Sequence, residues 1–493
     1  MLFLGIDVGS SSVKVSLFDG QAGKTVAAGQ YPAVEMPIHS PAPGFAEQDP
    51  DFWWECAQKA CEAIFTDSNF NAADVKSIGI TYQMHGLVCV DANQNVLRPA
   101  IIWCDSRAVS LGNEALEALG GAHCFDELLN SPGNFTAAKL RWVQVNEPEI
   151  FQKIHKVMLP GDYIAMRLSG ELTTTATGLS EGILWNHAKS SVDTSLLAHW
   201  DINPALIPEV TPAIGEQTVT NQSALDALGI SVGTPISYRC GDQPNNAFSL
   251  NVLEAGEVAA TAGTSGVIYG VTDQASGDKQ QRVNTFQHVT HTDESARYGI
   301  LACVNGAGRS LSWLRATLAE AGVSPDYPTL NKLADAVAIG SDGVHVLPFG
   351  NGAERIFGNQ NLGGHIRNLD FNRHGLGHIA RATQEGVVFA LKAGFDVMAE
   401  LGLACQLIRV PNSSLFLSPI FKDAFCNAMG CQVDTIDTDS AEGAARGAAL
   451  GSGFYKNREE TFASLRIAHS LMPDQAKIDQ YQSAYQRWQA ELR

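Results

Sequence analysis

Two apolar-rich segments fall within the first twenty positions: LFLGIDV, and VKVSLFD, in which Val13, Val15 and Leu17 alternate with polar neighbours. A period of two is that of a β-strand, and both segments read as consecutive strands, joined by a turn at Gly9-Ser10-Ser11-Ser12 and followed by a second turn at Asp19-Gly20. From Asp49 the period changes. DPDFWWECAQKACEAIF carries apolar residues at helical spacing behind a capping aspartate and a proline, which predicts a packed helix. SIGITYQMHG then reads as a buried strand running into a polar loop, and RPAIIWCDSR, from Arg98 to Arg107, repeats that pattern.

Between Gly215 and Gly241 the chain is rich in turns, and the Gly-Thr-Pro of SVGTPISYRCGD excludes a helix there. A domain boundary is expected in this stretch, giving units 1–238 and 239–493. Beyond it GEVAATAGTSGVIYGV is again strand, small-residue turn, strand, with Gly263-Thr264-Ser265-Gly266 standing where Gly9 to Ser12 stood. The chain therefore reads as an α/β protein duplicated at the level of fold, with its ligand site expected in the cleft between two related halves. Helices are predicted over Arg309–Ala321, Gly377–Leu401, from Ser418-Pro419 onward, and in the last twenty residues, where Tyr481, Tyr485 and Trp488 share a face. EGAARGAALGSGF, from Glu442, is composed of small residues that suit close approach to a ligand or, equally, to a sheet.

A length of 493 residues exceeds what one core usually serves, which supports two domains. Charge narrows the partners: 33 basic against 52 acidic residues leave a net charge of -19 and no basic patch, so neither nucleic acid nor an anionic membrane is an expected partner. An acidic protein that handles polyphosphate must use backbone amides and a divalent cation. The ten cysteines include no CxxC pair and read as reduced, packed thiols. Met1 to Ile6 is too short an apolar run for a signal peptide and no uncharged stretch is long enough to span a bilayer, so a cytoplasmic protein is expected.

The chemistry concentrates at strand ends. Two turns of Gly, Ser and Thr at equivalent places offer backbone N–H groups for phosphate, and Asp7, at the end of a buried strand beside the first, suits a magnesium ion or its waters; its bland reading is a capped strand end. Asp242, in CGDQPNNA, precedes a helix and reads either as a turn carboxylate or as the base that accepts a proton from an attacking hydroxyl. His85 in YQMHG, and Asp105 with Arg107 in WCDSR, are candidates for a polar ligand, although the last two suit pairing with each other. Trp313 reads as core, or as a neighbour of a purine ring.

GIDVGSSSVK, AEQDPDFWWE, QMHG, LRPAIIWCDSR, FTAAKLRWVQ, MLPGDYIAMRLSGE, GDQPNNA and AGTSGV together resemble the FGGY carbohydrate kinases over nearly the whole chain, and among these the xylulose kinases. The resemblance implies two actin-like domains of ribonuclease-H-like topology that close over a small sugar and MgATP, and D-xylulose as the expected acceptor. It makes Asp242 the general base and Asp7 the magnesium-associated carboxylate. Met84, His85, Asp105 and Gln243 become sugar contacts, with Gln243 in place of a customary asparagine. Gly9, Ser10, Ser11, Ser12, Gly263, Thr264 and Ser265 become the phosphate cradle, with Trp313, Asn412 and Ser414 on the nucleotide side. Two departures stand out: Pro411 lies in RVPNSSLFLS, where the family has a glycine-rich string, and no proline follows Glu354-Arg355. A proline fixes φ and lacks an N–H, which bears on ATP affinity. The rival readings are a kinase for another sugar or polyol (ribulose, glycerol or gluconate), a catalytically silent sugar-binding homologue, and an actin-like ATPase acting through partners. Oligomeric state is left open by the sequence, a homodimer included.

Overall fold

The computed structural model describes residues 1–492. Strands β1 (Leu2–Val8), β2 (Val13–Asp19), β3 (Lys24–Tyr31), β4 (Val75–Tyr82), β5 (Ile214–Val219) and β6 (Pro235–Gly241) form one sheet in the order β5-β6-β4-β1-β2-β3. A second sheet contains β7 (Glu257–Ala262), β8 (Gly266–Thr272), β9 (Asn284–Gln287), β10 (Tyr298–Val304), β11 (Leu407–Pro411), β12 (Val433–Ile436) and β13 (Ile467–Leu471), in the order β9-β10-β8-β7-β11-β12-β13.

The duplication is visible in the pairings. From β3 to β5 in the first sheet, and from β10 to β13 in the second, neighbouring strands pair antiparallel twice, parallel twice, then antiparallel. This is the actin-like, ribonuclease-H-like arrangement expected, with β9 added at the edge of the second sheet. Parallel strands need both faces covered, and β1 is accordingly buried at all seven positions.

Helix α1 (Pro50–Thr66) starts where the sequence places it, with the Asp49 side chain accepting from the Asp51 amide and Trp53, Trp54, Cys56 and Ala57 turned inward. Helices α2 (Thr136–Asn146), α3 (Pro160–Ser169) and α4 (Ala176–Glu181) belong to the first lobe, and α5 (Asp242–Ser249) leaves the end of β6 directly. In the second lobe α6 (Ala307–Glu320), α7 (Leu376–Glu400), α8 (Pro419–Met429) and α10 (Gln475–Ala490) surround the sheet, and Tyr481, Tyr485 and Trp488 of α10 are buried as their shared face predicts.

Helix α9 (Ser440–Gly451) crosses back to the first lobe. A Cβ added at Gly5 would overlap the Ala441 carbonyl, and one at Gly79 the Ala444 carbonyl, so glycines on β1 and β4 let the small-residue helix lie directly on the sheet. Of its two readings, helix on sheet is the one realised. The expected division at 238/239 falls inside β6, whose pairing with β4 continues to Gly241. The strand-then-loop expected from Arg98 to Arg107 keeps only a short strand, Ala100–Ile101, with Arg98, Asp105 and Arg107 on its flanks joined in an ion-pair network with Glu47. All ten cysteines carry free thiols, and among the described residues no helix is long and apolar enough to cross a membrane.

Candidate active site

β1 and β6 both run parallel to β4, and Val8 and Gly241 are both registered against Tyr82. Asp7 and Asp242 therefore stand at the same edge of the first sheet, one strand apart. Burial pushes Asp7 up to about 6; the Lys14 ammonium opposes this, while Asp439 adds to it and Ser440 bonds the carboxylate. Asp242 is pushed up to about 7, first by burial and then by the charge of Asp7, although bonds from Gln243 favour its ionised form. Two neighbouring desolvated carboxyls, one poised to titrate near neutrality, form a suitable pair for accepting a proton.

The first turn is closed by the Gly9 amide donating to the Ser12 carbonyl at 3.1 Å, and it is braced by Gln48, whose Nε2 donates to the Ser10 carbonyl at 2.7 Å. Its counterpart at Gly263–Ser265 is clamped by the start of α6: the amides of Gly308 and Arg309 donate to the carbonyls of Gly263 and Thr264, at 2.9 and 3.2 Å. A Cβ at Gly308 would overlap the Gly263 carbonyl, so this helix starts against the turn only because it carries glycine there. A cavity of about 550 Å³ opens beside the second turn and joins Gly263, Thr264 and Ser414 to Arg309, Tyr327 and Asn331. Ser265, Trp313 and Asn412 do not line it. Trp313 is 56% exposed on α6, which overturns its reading as core, and the Asn412 side chain is bonded to Asp437. Pro411 ends β11 outside the cavity wall; the chain reaches the cavity three residues later at Ser414, whose φ is +54°.

The loop after β4 presents the other candidates. Met84 is buried against Gly241, and His85 has φ +63°. The His85 ring meets Phe135 edge-on at 4.8 Å and Phe286 of the second lobe at 5.3 Å. Its Nδ1 lies 2.9 Å from the Glu181 carbonyl, and burial, reinforced by the Lys139 charge, pushes the imidazole down to about 3. The ring is therefore neutral. A carbonyl only accepts, so the proton is assigned to Nδ1 and Nε2 keeps its lone pair for a ligand hydroxyl. Gln243 occupies the first turn of α5 beside Asp242. Asp105 departs from its expected role: Oδ1 and Oδ2 are occupied by Arg107, and Oδ2 also accepts from the Ala46 amide at 2.5 Å. The pairing with Arg107 is the reading the geometry favours.

Three residues at the site escaped the sequence reading. Lys139 is fully buried and donates to the carbonyls of His85 at 2.8 Å and Ile102 at 2.9 Å, tying the two polar loops together. Glu181 is buried with both carboxyl oxygens unpartnered, one of them 2.5 Å from where a Gly241 Cβ would stand. Arg355 reaches from the second lobe to the face of Phe135, 5.8 Å from the ring centre. Lys139 and Arg355 lie within FTAAKLRWVQ and beside the missing proline, strings in which nothing marks one charged residue as buried.

Family comparisons agree with this geometry. Residues 2–249 match the N-terminal domain of the FGGY family of carbohydrate kinases, and residues 258–453 match its C-terminal domain. The xylulose kinase of Escherichia coli K12 is 30% identical over 98% of this chain and 96% of its own length. The crystal structure of xylulose kinase from Rhodospirillum rubrum superposes with a TM-score of 0.87 at 26% identity, covering 100% of this chain and 98% of that one. A gluconate kinase from Lactobacillus acidophilus shares the fold equally well, with a TM-score of 0.88 at 22% identity over 100% and 98% of the two chains, so fold alone does not select the acceptor. With both domain models matched in order along two sheets of the same topology, the chain belongs to the FGGY family of carbohydrate kinases.

Proposed function

We propose that the protein is an ATP-dependent xylulose kinase that transfers the γ-phosphoryl group to the terminal hydroxyl of D-xylulose, giving D-xylulose 5-phosphate. The observation that carries this reading is Asp242, a half-buried carboxyl that desolvation pushes up to about 7, beside Asp7 and next to the Met84–His85 loop. Asp242 takes the hydroxyl proton as the oxygen attacks phosphorus, and a base that titrates near the working pH is well matched to that task. His85 accepts a sugar hydroxyl through Nε2, and Gln243 bonds a second one beside the base. The amides of the two turns hold the phosphates, and the cavity at Gly263, Tyr327 and Asn331 takes the nucleoside.

The donors present fit magnesium. Asp7 is a hard oxygen ligand at the cleft edge, with the Asp439 carboxylate near enough to raise it. These two would hold the ion or its water shell, and the ion would supply neutralisation of phosphate charge when bound. Xylulose kinase relatives at modest identity over the full chain support D-xylulose over other acceptors. A coupled assay of ADP release with D-xylulose, D-ribulose, glycerol and D-gluconate tests the reading. Turnover is expected to be highest with D-xylulose, and absence of sugar-dependent ADP release, or a clear preference for another acceptor, overturns it.

A further inference from the structure

Arg355 is a second-lobe cation whose side chain reaches Phe135 of the first lobe, beside His85. Its guanidinium makes no ion pair among the described residues. Glu354, next in the chain, turns away and accepts instead from the Asn305 amide at 3.0 Å. The polar contact left to Arg355 is a 3.5 Å bond from Nη1 to the Gln281 carbonyl, at the outer limit of a hydrogen bond. The side chain rests on Phe135, which in turn packs against His85, and its charge is near enough to help hold His85 neutral. Burial lowers its own affinity for the proton.

A guanidinium carries five donors in a fork that matches two oxygens of one anion. Arg355 is only partly withdrawn from water, and the carboxylate partner that arginines elsewhere in this chain find, such as Glu47 for Arg107 or Glu385 for Arg381, is missing here. An anionic ligand would supply the counter-charge that the chain does not. The position of Arg355 against the Phe135–His85 pair places that charge on a ligand of the sugar pocket, because the nucleoside cavity lies beside Gly263, Tyr327 and Asn331 and does not include Arg355.

We infer that Arg355 is a specificity-determining residue that reads an oxyanion on a ligand of the sugar pocket, either the phosphoryl group that the sugar carries once it is product or the carboxylate of a sugar acid. The inference rests on the sugar kinase reading for the identity of the pocket, but its test does not depend on turnover. Calorimetric titration of the full chain without nucleotide, using D-xylulose, D-xylulose 5-phosphate and D-gluconate in turn, compares wild type with Arg355→Met and Arg355→Lys. Arg355→Met is expected to weaken an anionic ligand by about tenfold or more while D-xylulose changes by less than about threefold, with part of the loss recovered in Arg355→Lys. Loss confined to the phosphate ester assigns the phosphoryl group, and loss confined to gluconate assigns the carboxylate. Equal changes for all three ligands, or no change for either anion, overturn the inference, and Arg355→Lys separates a lost contact from a misfolded Met variant. Wild-type protein that binds the anions but releases no ADP with any acceptor removes the proposed activity and leaves this assignment standing. Turnover of D-xylulose with anion affinity intact in Arg355→Met does the reverse.

Discussion

Asp7 and Asp242 stand one strand apart at the same edge of the first sheet, and the charge of Asp7 helps Asp242 hold its proton up to about 7. The base proposed at Asp242 must be ionised to work, so kcat/KM is expected to fall about tenfold per pH unit below 7 and to level off above it. Asp242→Ala should lower kcat by about 10²–10⁴-fold and erase that limb of the profile, while calorimetry still detects sugar binding. An unchanged profile in the variant would remove Asp242 from the reaction.

The same carboxyl lowers stability. Its folded value, about 7, lies above the ordinary 3.8, so the folded protein binds this proton more tightly than the unfolded chain does. The stability linked to it is fully present below about 3.8 and is lost as pH rises through about 7. Asn cannot ionise and escapes the loss. Asp242→Asn in the ligand-free protein is therefore expected to be more stable than wild type by about 2–4 kcal/mol at pH 8, with the advantage shrinking toward pH 5. Urea unfolding at the two pH values checks this, and an advantage independent of pH would assign the gain to something other than the buried charge.

His85 is held on three sides, by the Glu181 carbonyl, by Phe135 and Phe286, and by Lys139 through its own carbonyl oxygen. Because the ring is pushed down to about 3, it stays neutral throughout the range in which the enzyme is assayed and should contribute no limb between pH 5 and 9. His85→Leu removes the free Nε2 acceptor in nearly the same volume. It is expected to raise KM for the sugar by about tenfold with a smaller effect on KM for ATP, as measured by initial rates.

Much of this was legible in the sequence because local signals and tertiary structure agree. The first two apolar segments became β1 and β2, the buried run SIGITY became β4, and the recurrence of a Gly/Thr/Ser turn at 263 announced the second sheet. The Ser418-Pro419 cap became the start of α8. What escaped depends on contacts between distant residues. Asp105 was expected to face the sugar, yet a partner two positions away and an amide from residue 46 hold it. Lys139 lies on α2 in a string quoted only for its family resemblance, and only the meeting of the loops at His85 and Ile102 makes its burial tolerable. Trp313 read as core from its size alone and as a nucleotide neighbour through the resemblance; core is excluded, because the face of α6 that carries it looks outward.

The return of α9 to the first lobe makes a stability prediction that is also functional. This helix lies across β1, β4 and β6 at backbone contact: Gly5 and Gly79 face the Ala441 and Ala444 carbonyls, and Gly451 faces the Ser237 carbonyl. A backbone carbonyl cannot rotate aside as a side chain does, so a methyl group at Gly5 or Gly79 must push the helix off the sheet. Each Gly→Ala substitution is expected to cost about 1–3 kcal/mol or more in urea unfolding, and the double substitution less than the sum, since one displacement of α9 relieves both. Gly121→Ala, where the added Cβ would meet only the Phe125 ring at 3.5 Å, is expected to change stability by less than about 1 kcal/mol. The first turn of α9 brings Ser440, with Asp439 as its cap, to Asp7. Displacing the helix therefore withdraws a hydrogen bond and a charge from the carboxylate edge, and kcat should fall in Gly79→Ala even under conditions where the protein remains fully folded.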